Sequence, residues 1–196
     1  MATPQFAQWR PPGRTGKGEG VKHSLRTARL TLEPHGLGDF DNSAELWGDP
    51  QVVRYIGGTP STRAEAWARF LRHAGHWTLL GYGYWAVREQ ASGRFVGEVG
   101  FGDFHRDLTP PFGDTPEAGW VLAPWAHGRG YATEAVVAAL AWGDERFTAD
   151  GTVCMIDPDN APSLRLAARC GYVEYARTLH RESAVVLLRR PKGRGA

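Results

Sequence analysis

Two hydrophobic periods alternate along the chain and predict strands and helices in turn. Between Leu25 and Glu33, Leu30 and Leu32 alternate with polar residues, and this period of two predicts a strand. Similar runs predict six further strands, over residues 82–88, 95–101, 117–123, 153–155, 172–179 and 184–188. The second and third of these seven runs flank Ser92-Gly93, which predicts a hairpin.

Apolar residues three and four positions apart predict about four helices. Thr62 and Glu65 have the spacing of a capping box at the start of one of them. The other three cover about residues 39–47, 132–147 and 164–170, and Gly171 is suited to end the last. The pattern as a whole predicts a mixed α/β fold of about seven strands and four helices.

Composition and charge divide the chain into a body and two basic ends. Residues 1–24 are rich in Pro and Gly and carry a net charge of +3, which predicts a disordered basic lead-in. Residues 25–190 form the predicted domain, and residues 191–196 a basic tail. Because residues 189–196 carry +4 and the whole chain +2, the body between the ends is acidic, at −5. An acidic body favours a cationic acceptor, and we expect no nucleic-acid partner.

Several classes of protein are excluded or disfavoured. No apolar run approaches the ~18–20 residues that a membrane span needs, so we expect no membrane partner. Residues 1–10 lack the apolar stretch of a secretory signal. Cys154 and Cys170 are too few for a disulfide framework, and their spacing does not indicate a metal site. The expectation is a cytoplasmic protein with reduced cysteines and no metal.

One loop carries the signature of a phosphate-binding turn. The apolar strand Trp120-Val121-Leu122 leads through Pro124 to a glycine-containing turn at 127–130 and directly into the long helix. Glycines there would expose backbone N–H groups beside the positive end of the helix dipole, an arrangement that suits a pyrophosphate. The loop lacks the lysine of an ATP-binding P-loop, and Thr133 replaces the third glycine of a dinucleotide fingerprint.

A second motif narrows the choice of ligand. Asn160 and Ser163 open a helix that ends in Gly171-Tyr172. Together with the run Gly-Arg-Gly-Tyr-Ala-Thr-Glu-Ala at 128–135 and the strand Thr-Ala-Arg-Leu-Thr-Leu at 27–32, it resembles the GNAT superfamily of acyl-CoA-dependent N-acetyltransferases. The similarity covers about residues 25–190 and is strongest to the branch that includes ribosomal-protein alanine N-acetyltransferases. It implies a single mixed, mostly antiparallel central sheet.

The resemblance also implies where acetyl-CoA, the co-substrate, would bind. The backbone of the strand end would pair with the pantetheine arm like an added strand, through Val121, Leu122 and Ala123. The following loop would hold the pyrophosphate, through His127, Gly128, Arg129, Gly130, Tyr131 and Ala132. Asn160 would bind the pantetheine, and Ser163 would lie near the thiolate.

The catalytic residues are less well specified. Ala167 stands where many members of the superfamily have a tyrosine general acid, so Ser163, water or another group must protonate the thiolate. Glu117, Glu98 and His105 are the candidates for general base, and Glu117 is narrowly favoured. No nucleophile elbow is present, which favours direct attack by the amine.

The acceptor stays open at this stage. An α-amine, with a pKa of ~7.7–8, is far more often neutral at pH 7 than a lysine at ~10.4, yet a small-molecule amine and a protein N-terminus both fit. The resemblance makes a homodimer plausible. The alternative function is a catalytically inactive CoA-binding sensor or partner module.

Overall fold

A computed structural model describes residues 23–193 of the chain. The predicted lead-in therefore lies outside the described residues except for His23 and Ser24, and so do residues 194–196 of the basic tail. Between these limits the chain folds into one sheet with helices on both faces.

Within residues 23–193 the sheet contains eight strands, in the order β1-β2-β3-β4-β5-β6-β8-β7. Neighbours are antiparallel except for β5 and β6, which are parallel, so the predicted mixed and mostly antiparallel sheet is confirmed. Eight strands form instead of about seven because the first predicted run turns back on itself at Thr27–Arg29 and pairs as β1 with β2. The strand bounds are β1 Leu25–Arg26, β2 Leu30–Pro34, β3 Tyr84–Glu89, β4 Phe95–Gly102, β5 Glu117–Leu122, β6 Gly151–Ile156, β7 Val173–His180 and β8 Ser183–Pro191.

In the described part of the chain five α-helices accompany the sheet, namely α1 Phe40–Gly48, α2 Pro50–Val53, α3 Arg63–Leu80, α4 Tyr131–Arg146 and α5 Ala161–Arg169. The capping box predicted at the start of α3 is present, since Thr62 and Glu65 bond to each other's backbone N–H groups. The short helix α2 was not predicted, because Asp49-Pro50 indicates a break. Instead Asp49 caps α2, and Pro50 occupies its first turn, where a missing N–H costs nothing.

Different helices and hydrophobic clusters pack on the two faces of the sheet. On one face α4 packs Ala135, Val136 and Ala139 against Leu32 and Trp85 in the main core. On the other face a second cluster joins α1 and α2 to the sheet, through Leu46, Trp47, Val52, Val53, Ala86, Phe95 and Val121. This second face also holds the charged groups described below.

Two sequence expectations concern the protein's environment. No helix among residues 23–193 is long and apolar enough to cross a membrane. Cys154 and Cys170 are both buried and free, so neither takes part in a disulfide.

Candidate active site

The sheet opens between β5 and β6. On one side β5 pairs with β4 over its whole length, from Glu117 to Leu122. On the other side it pairs with β6 at a single position, Glu117 with Val153. Beyond that position, no described strand pairs with the edge of β5 that faces β6. The predicted residues Val121 and Leu122 lie on this open edge, and Ala123 follows it, its N–H donating to Val96 O at 2.9 Å.

The open edge leads to an exposed turn at the N-terminus of α4. Gly128 and Gly130 both have positive φ, at +72° and +78°, and Gly130 is the N-cap residue. No side chain of the described part of the chain caps α4, so the N–H groups of its first turn are left for another acceptor. A Cβ on Gly128 would meet no atom within 4 Å, which shows that the turn borders open space. The predicted phosphate-binding turn at residues 127–130 therefore fits a pyrophosphate in both geometry and polarity.

Glu134 fastens this turn to the start of the sheet. Its carboxylate accepts hydrogen bonds from Thr27 Oγ1 at 2.6 Å, Arg29 N at 2.8 Å and Arg29 Nε at 2.7 Å. Arg29 Nη1 also donates to the carbonyl of Arg129 at 2.9 Å. Partial burial alone would raise the pKa of Glu134, but the bonds from Thr27 and Arg29 hold that pKa below its usual value. We call this set of hydrogen bonds from Thr27 and Arg29 to Glu134 the clamp. Sequence reasoning missed it, although all three residues belong to the motifs that carry the resemblance.

The side chains of the loop residues serve the scaffold. His127 Nε2 lies 3.0 Å from Leu122 O, and the Tyr131 hydroxyl donates to Glu89. The guanidinium of Arg129 lies 5.5 Å from the Trp125 ring. These contacts shape the turn and leave its backbone as the group offered to a ligand.

The predicted pair Asn160 and Ser163 joins α5 to the open edge. Asn160 Oδ1 accepts the N–H of Ser163 at 3.2 Å and so caps α5, which leaves the Asn160 amino group to donate elsewhere. Trp120 Nε1, from β5, donates to Ser163 Oγ at 3.3 Å. Ala167 is fully buried in the core, so its position in α5 faces away from any solvent-filled cleft.

Glu117 lies at the start of β5, beside a cavity of about 320 Å³. Arg106 binds both of its oxygens, at 2.5 and 2.8 Å, and also lines the cavity. Burial raises the pKa of Glu117, and the bond from Arg106 only partly offsets this. None of the predicted site residues lines the larger cavity, about 470 Å³, on the other side of Asp114 and Thr115.

Glu98 shares a sheet face with Glu117 but has different surroundings. The register aligns Glu98 with Val121 and Gly102 with Glu117, so the two carboxylates point to the same side. Glu98 is fully buried and accepts from Ser43 Oγ at 2.6 Å and from Trp47 Nε1 at 2.9 Å. His105, the third candidate base, is 92% exposed at its side chain and faces Asp103 at 3.7 Å.

Tyr84, from β3, lies between the two carboxylates. Its register partner is Gly100, which in turn pairs with Gly119. A Cβ on Gly119 would lie 2.1 Å from the Tyr84 hydroxyl, so glycine is required for the hydroxyl to rest on β5. Burial raises the pKa of Tyr84. The glycines of β4 and β5 leave room for this large side chain.

Comparisons with known proteins agree with this geometry. A family model described as an acetyltransferase (GNAT) domain matches residues 29–173. A protein from Bordetella pertussis described as a GnaT-family acetyltransferase is 34% identical, with a TM-score of 0.75 over 85% of this chain and 98% of its own.

Two more distant structures share the fold. The spermidine N-acetyltransferase of Vibrio cholerae, solved with CoA and spermine, is 18% identical, with a TM-score of 0.66 over 85% of this chain and 97% of its own. The ribosomal-protein-S5-alanine acetyltransferase of Vibrio fischeri is 16% identical, with a TM-score of 0.68 over 88% and 98%. Family model, identity and fold agree, and the chain belongs to the GNAT acetyltransferase family.

Proposed function

We propose that this protein transfers the acetyl group of acetyl-CoA to a primary amine by direct attack. The observation that carries the proposal is the opening between β5 and β6, which ends at the uncapped N-terminus of α4. An extended amide chain can add to a free strand edge, and a pyrophosphate can bind N–H groups at a helix N-terminus. The chain offers both in the order that one pantetheine-pyrophosphate molecule requires.

The binding roles follow from the positions of the predicted residues. The backbone of Val121, Leu122 and Ala123 would hold the pantetheine arm along the open edge, and the Asn160 amino group would add a hydrogen bond. The pyrophosphate would lie on the N–H groups of the turn from His127 to Ala132. Each charge–dipole contact of this kind contributes about 0.3–1 kcal/mol. The acyl group supplies the electrophilic carbonyl, and the chain's own residues orient it.

Glu117 is the proposed general base. It borders a cavity that an acceptor can enter, whereas Glu98 is closed in by Ser43 and Trp47. Arg106 fixes the direction of the Glu117 carboxylate and leaves one lone pair on each oxygen for the amine proton. Burial raises its basicity, which suits proton removal near neutral pH.

During the reaction negative charge develops on the acyl oxygen and then on the leaving thiolate. A backbone N–H of the segment from Trp120 to Ala123 is the proposed donor to the oxyanion. Ser163 is the proposed donor to the thiolate. Trp120 Nε1 directs a proton to Ser163 Oγ, which orients the serine's own hydrogen away from Trp120.

The proposed acceptor is a protein N-terminus or a small-molecule amine; one distant fold neighbour is named for spermidine and the other for a ribosomal protein. The acidic body attracts an ammonium group, and an α-amine needs the least help from a base. The free cysteines accord with a reducing compartment, and the proposed location is the cytoplasm.

The test is release of free thiol from acetyl-CoA in the presence of two acceptor panels, N-terminal peptides and small amines including spermidine. Turnover with any of them supports the proposal, and the best acceptor defines the substrate class. Binding of acetyl-CoA without turnover on either panel would favour the alternative, an inactive CoA-binding module.

A further inference from the structure

His35, His73 and Glu98 converge in the layer between the sheet and helices α1 and α3. His35 follows the end of β2, His73 lies on the buried side of α3, and Glu98 lies in the middle of β4. One ligating atom from each lies within 4.8 Å of the others. Because the three residues are 38 and 25 positions apart, no local spacing in the sequence indicates the cluster.

Three of the four imidazole nitrogens in this cluster have no hydrogen-bond partner among the residues that the structure describes. The His35 side chain has no exposed surface and that of His73 only 3%, yet neither ring nitrogen of His35, nor Nδ1 of His73, has a hydrogen-bond partner among residues 23–193. Buried polar atoms are rarely left in this condition. These three nitrogens are therefore available to a ligand.

The two imidazoles approach different oxygens of Glu98, at distances longer than those of hydrogen bonds. His35 Nε2 lies 3.7 Å from Glu98 Oε1, and His73 Nδ1 lies 3.5 Å from Glu98 Oε2. Charge-assisted hydrogen bonds are much shorter, at about 2.7–2.9 Å. Two ligands at about 2.0–2.2 Å from a tetrahedral metal ion are instead separated by about 3.3–3.6 Å.

The surroundings already hold the ligands in place. Ser43 and Trp47, one turn apart on α1, donate to the two oxygens of Glu98. The His73 ring stacks on the Tyr84 ring, with centroids 4.3 Å apart and an interplanar angle of 9°. The His35 and Phe70 rings meet in an edge-on arrangement, with centroids 5.2 Å apart. Such outer contacts fix the orientation of metal ligands.

We propose that His35, His73 and Glu98 form a binding site for a divalent transition-metal ion, with Zn²⁺ as the best-matched ion. Two imidazoles and one carboxylate are a ligand set that zinc uses, and three protein ligands leave a fourth position for water. The ion would join β2, α3 and β4. Through the His73–Tyr84 stack it would also fix the hydroxyl that rests on Gly119.

The test uses the untagged full chain, stripped of metal with a chelator and then titrated with Zn²⁺ against a chromophoric competitor. We expect one high-affinity equivalent per chain. His35→Gln and His73→Gln each remove a ligand and should weaken binding by at least about 100-fold. His76→Gln is the matched control, because His76 is buried on the same helix face but bonds to Asp103 O at 3.2 Å. It should leave the Zn²⁺ affinity unchanged.

A measurement on the unmodified protein covers the case in which the variants fail to fold. X-ray absorption at the zinc edge should show two imidazoles and oxygen in the first shell, without sulfur. A cysteine sulfur in that shell, or a folded metal-free chain that takes up no stoichiometric Zn²⁺, would overturn the proposal. Equal Zn²⁺ affinity in the folded wild type and both ligand variants would overturn it as well. None of these readouts depends on acetyl transfer.

Discussion

At the scale of single residues, two buried carboxylates on one sheet face differ in what they can reach. Glu117 borders a cavity, whereas Glu98 is enclosed by α1, His35 and His73. The sequence offers both as candidate bases, and the register places them on one face of the sheet. The sequence favours Glu117 only narrowly, because access to these carboxylates depends on α1 and α3, which are distant from Glu98 in the sequence.

Glu117→Gln tests the proposed base. We expect turnover to fall at least about tenfold with little change in acetyl-CoA affinity, because the amide keeps the shape but accepts no proton. Thiol release gives the rate and calorimetry the affinity. Glu174→Gln is the control, since Glu174 is exposed and, among residues 23–193, forms its ion pair with Arg177 on its own strand. Unchanged turnover in Glu117→Gln would remove Glu117 from the mechanism.

The pH dependence of turnover follows from the same residue. A base acts in its deprotonated form, so kcat should fall as the pH drops through the pKa of Glu117. Because burial raises that pKa, this acid limb should lie above the ordinary value of 4.5. The limb should be absent in Glu117→Gln. A limb of the same midpoint in both proteins would assign it to another group.

At the scale of elements, the turn before α4 depends on backbone conformation rather than on side chains. Sequence reasoning located this turn because glycine and the following helix are local signals. The clamp of Thr27 and Arg29 on Glu134 was not foreseen, since it joins elements more than 100 positions apart. Local rules predict where N–H groups are exposed, and tertiary contacts decide how firmly they are held.

Substitutions at Gly130 separate strain from charge. Gly130→Ala should be destabilised by about 1–2 kcal/mol, because φ is +78° there, and should retain acetyl-CoA binding. Gly130→Glu adds a negative charge beside the phosphate-binding turn and should abolish that binding. Calorimetry measures the affinity and urea unfolding the stability. Full affinity in a folded Gly130→Glu variant would contradict the assignment of the turn.

At the scale of the whole molecule, the predicted fold class is correct, and the counts differ at short elements. Period-two and period-three-to-four patterns identify long strands and helices, but β1 and α2 have two and four residues and leave no period to detect. Such patterns also do not predict the contact that links β8, the last strand along the chain, to α4. Arg190 on β8 donates two hydrogen bonds, at 2.7 and 2.8 Å, to Asp144 on α4.

This link predicts a pH-dependent stability. Hydrogen bonds from Arg190 hold the pKa of Asp144 below its ordinary 3.8. The stabilisation of the folded state by the Asp144 carboxylate is therefore present above that pH and is lost as the pH falls further. Asp144→Asn should lower the free energy of unfolding by about 1–3 kcal/mol at pH 7, and the difference should shrink below pH 3.8. Urea unfolding at several pH values measures it. A difference that is constant with pH would exclude this origin.

The central claim is that the opening beside β5 and the turn before α4 together bind acetyl-CoA. Calorimetric titration of the full chain with acetyl-CoA tests it most directly, with Gly130→Glu as the matched variant. The account predicts saturable binding of one molecule per chain and its loss in the variant. A folded wild-type chain that binds no acetyl-CoA would contradict the account built on the open edge and the uncapped helix.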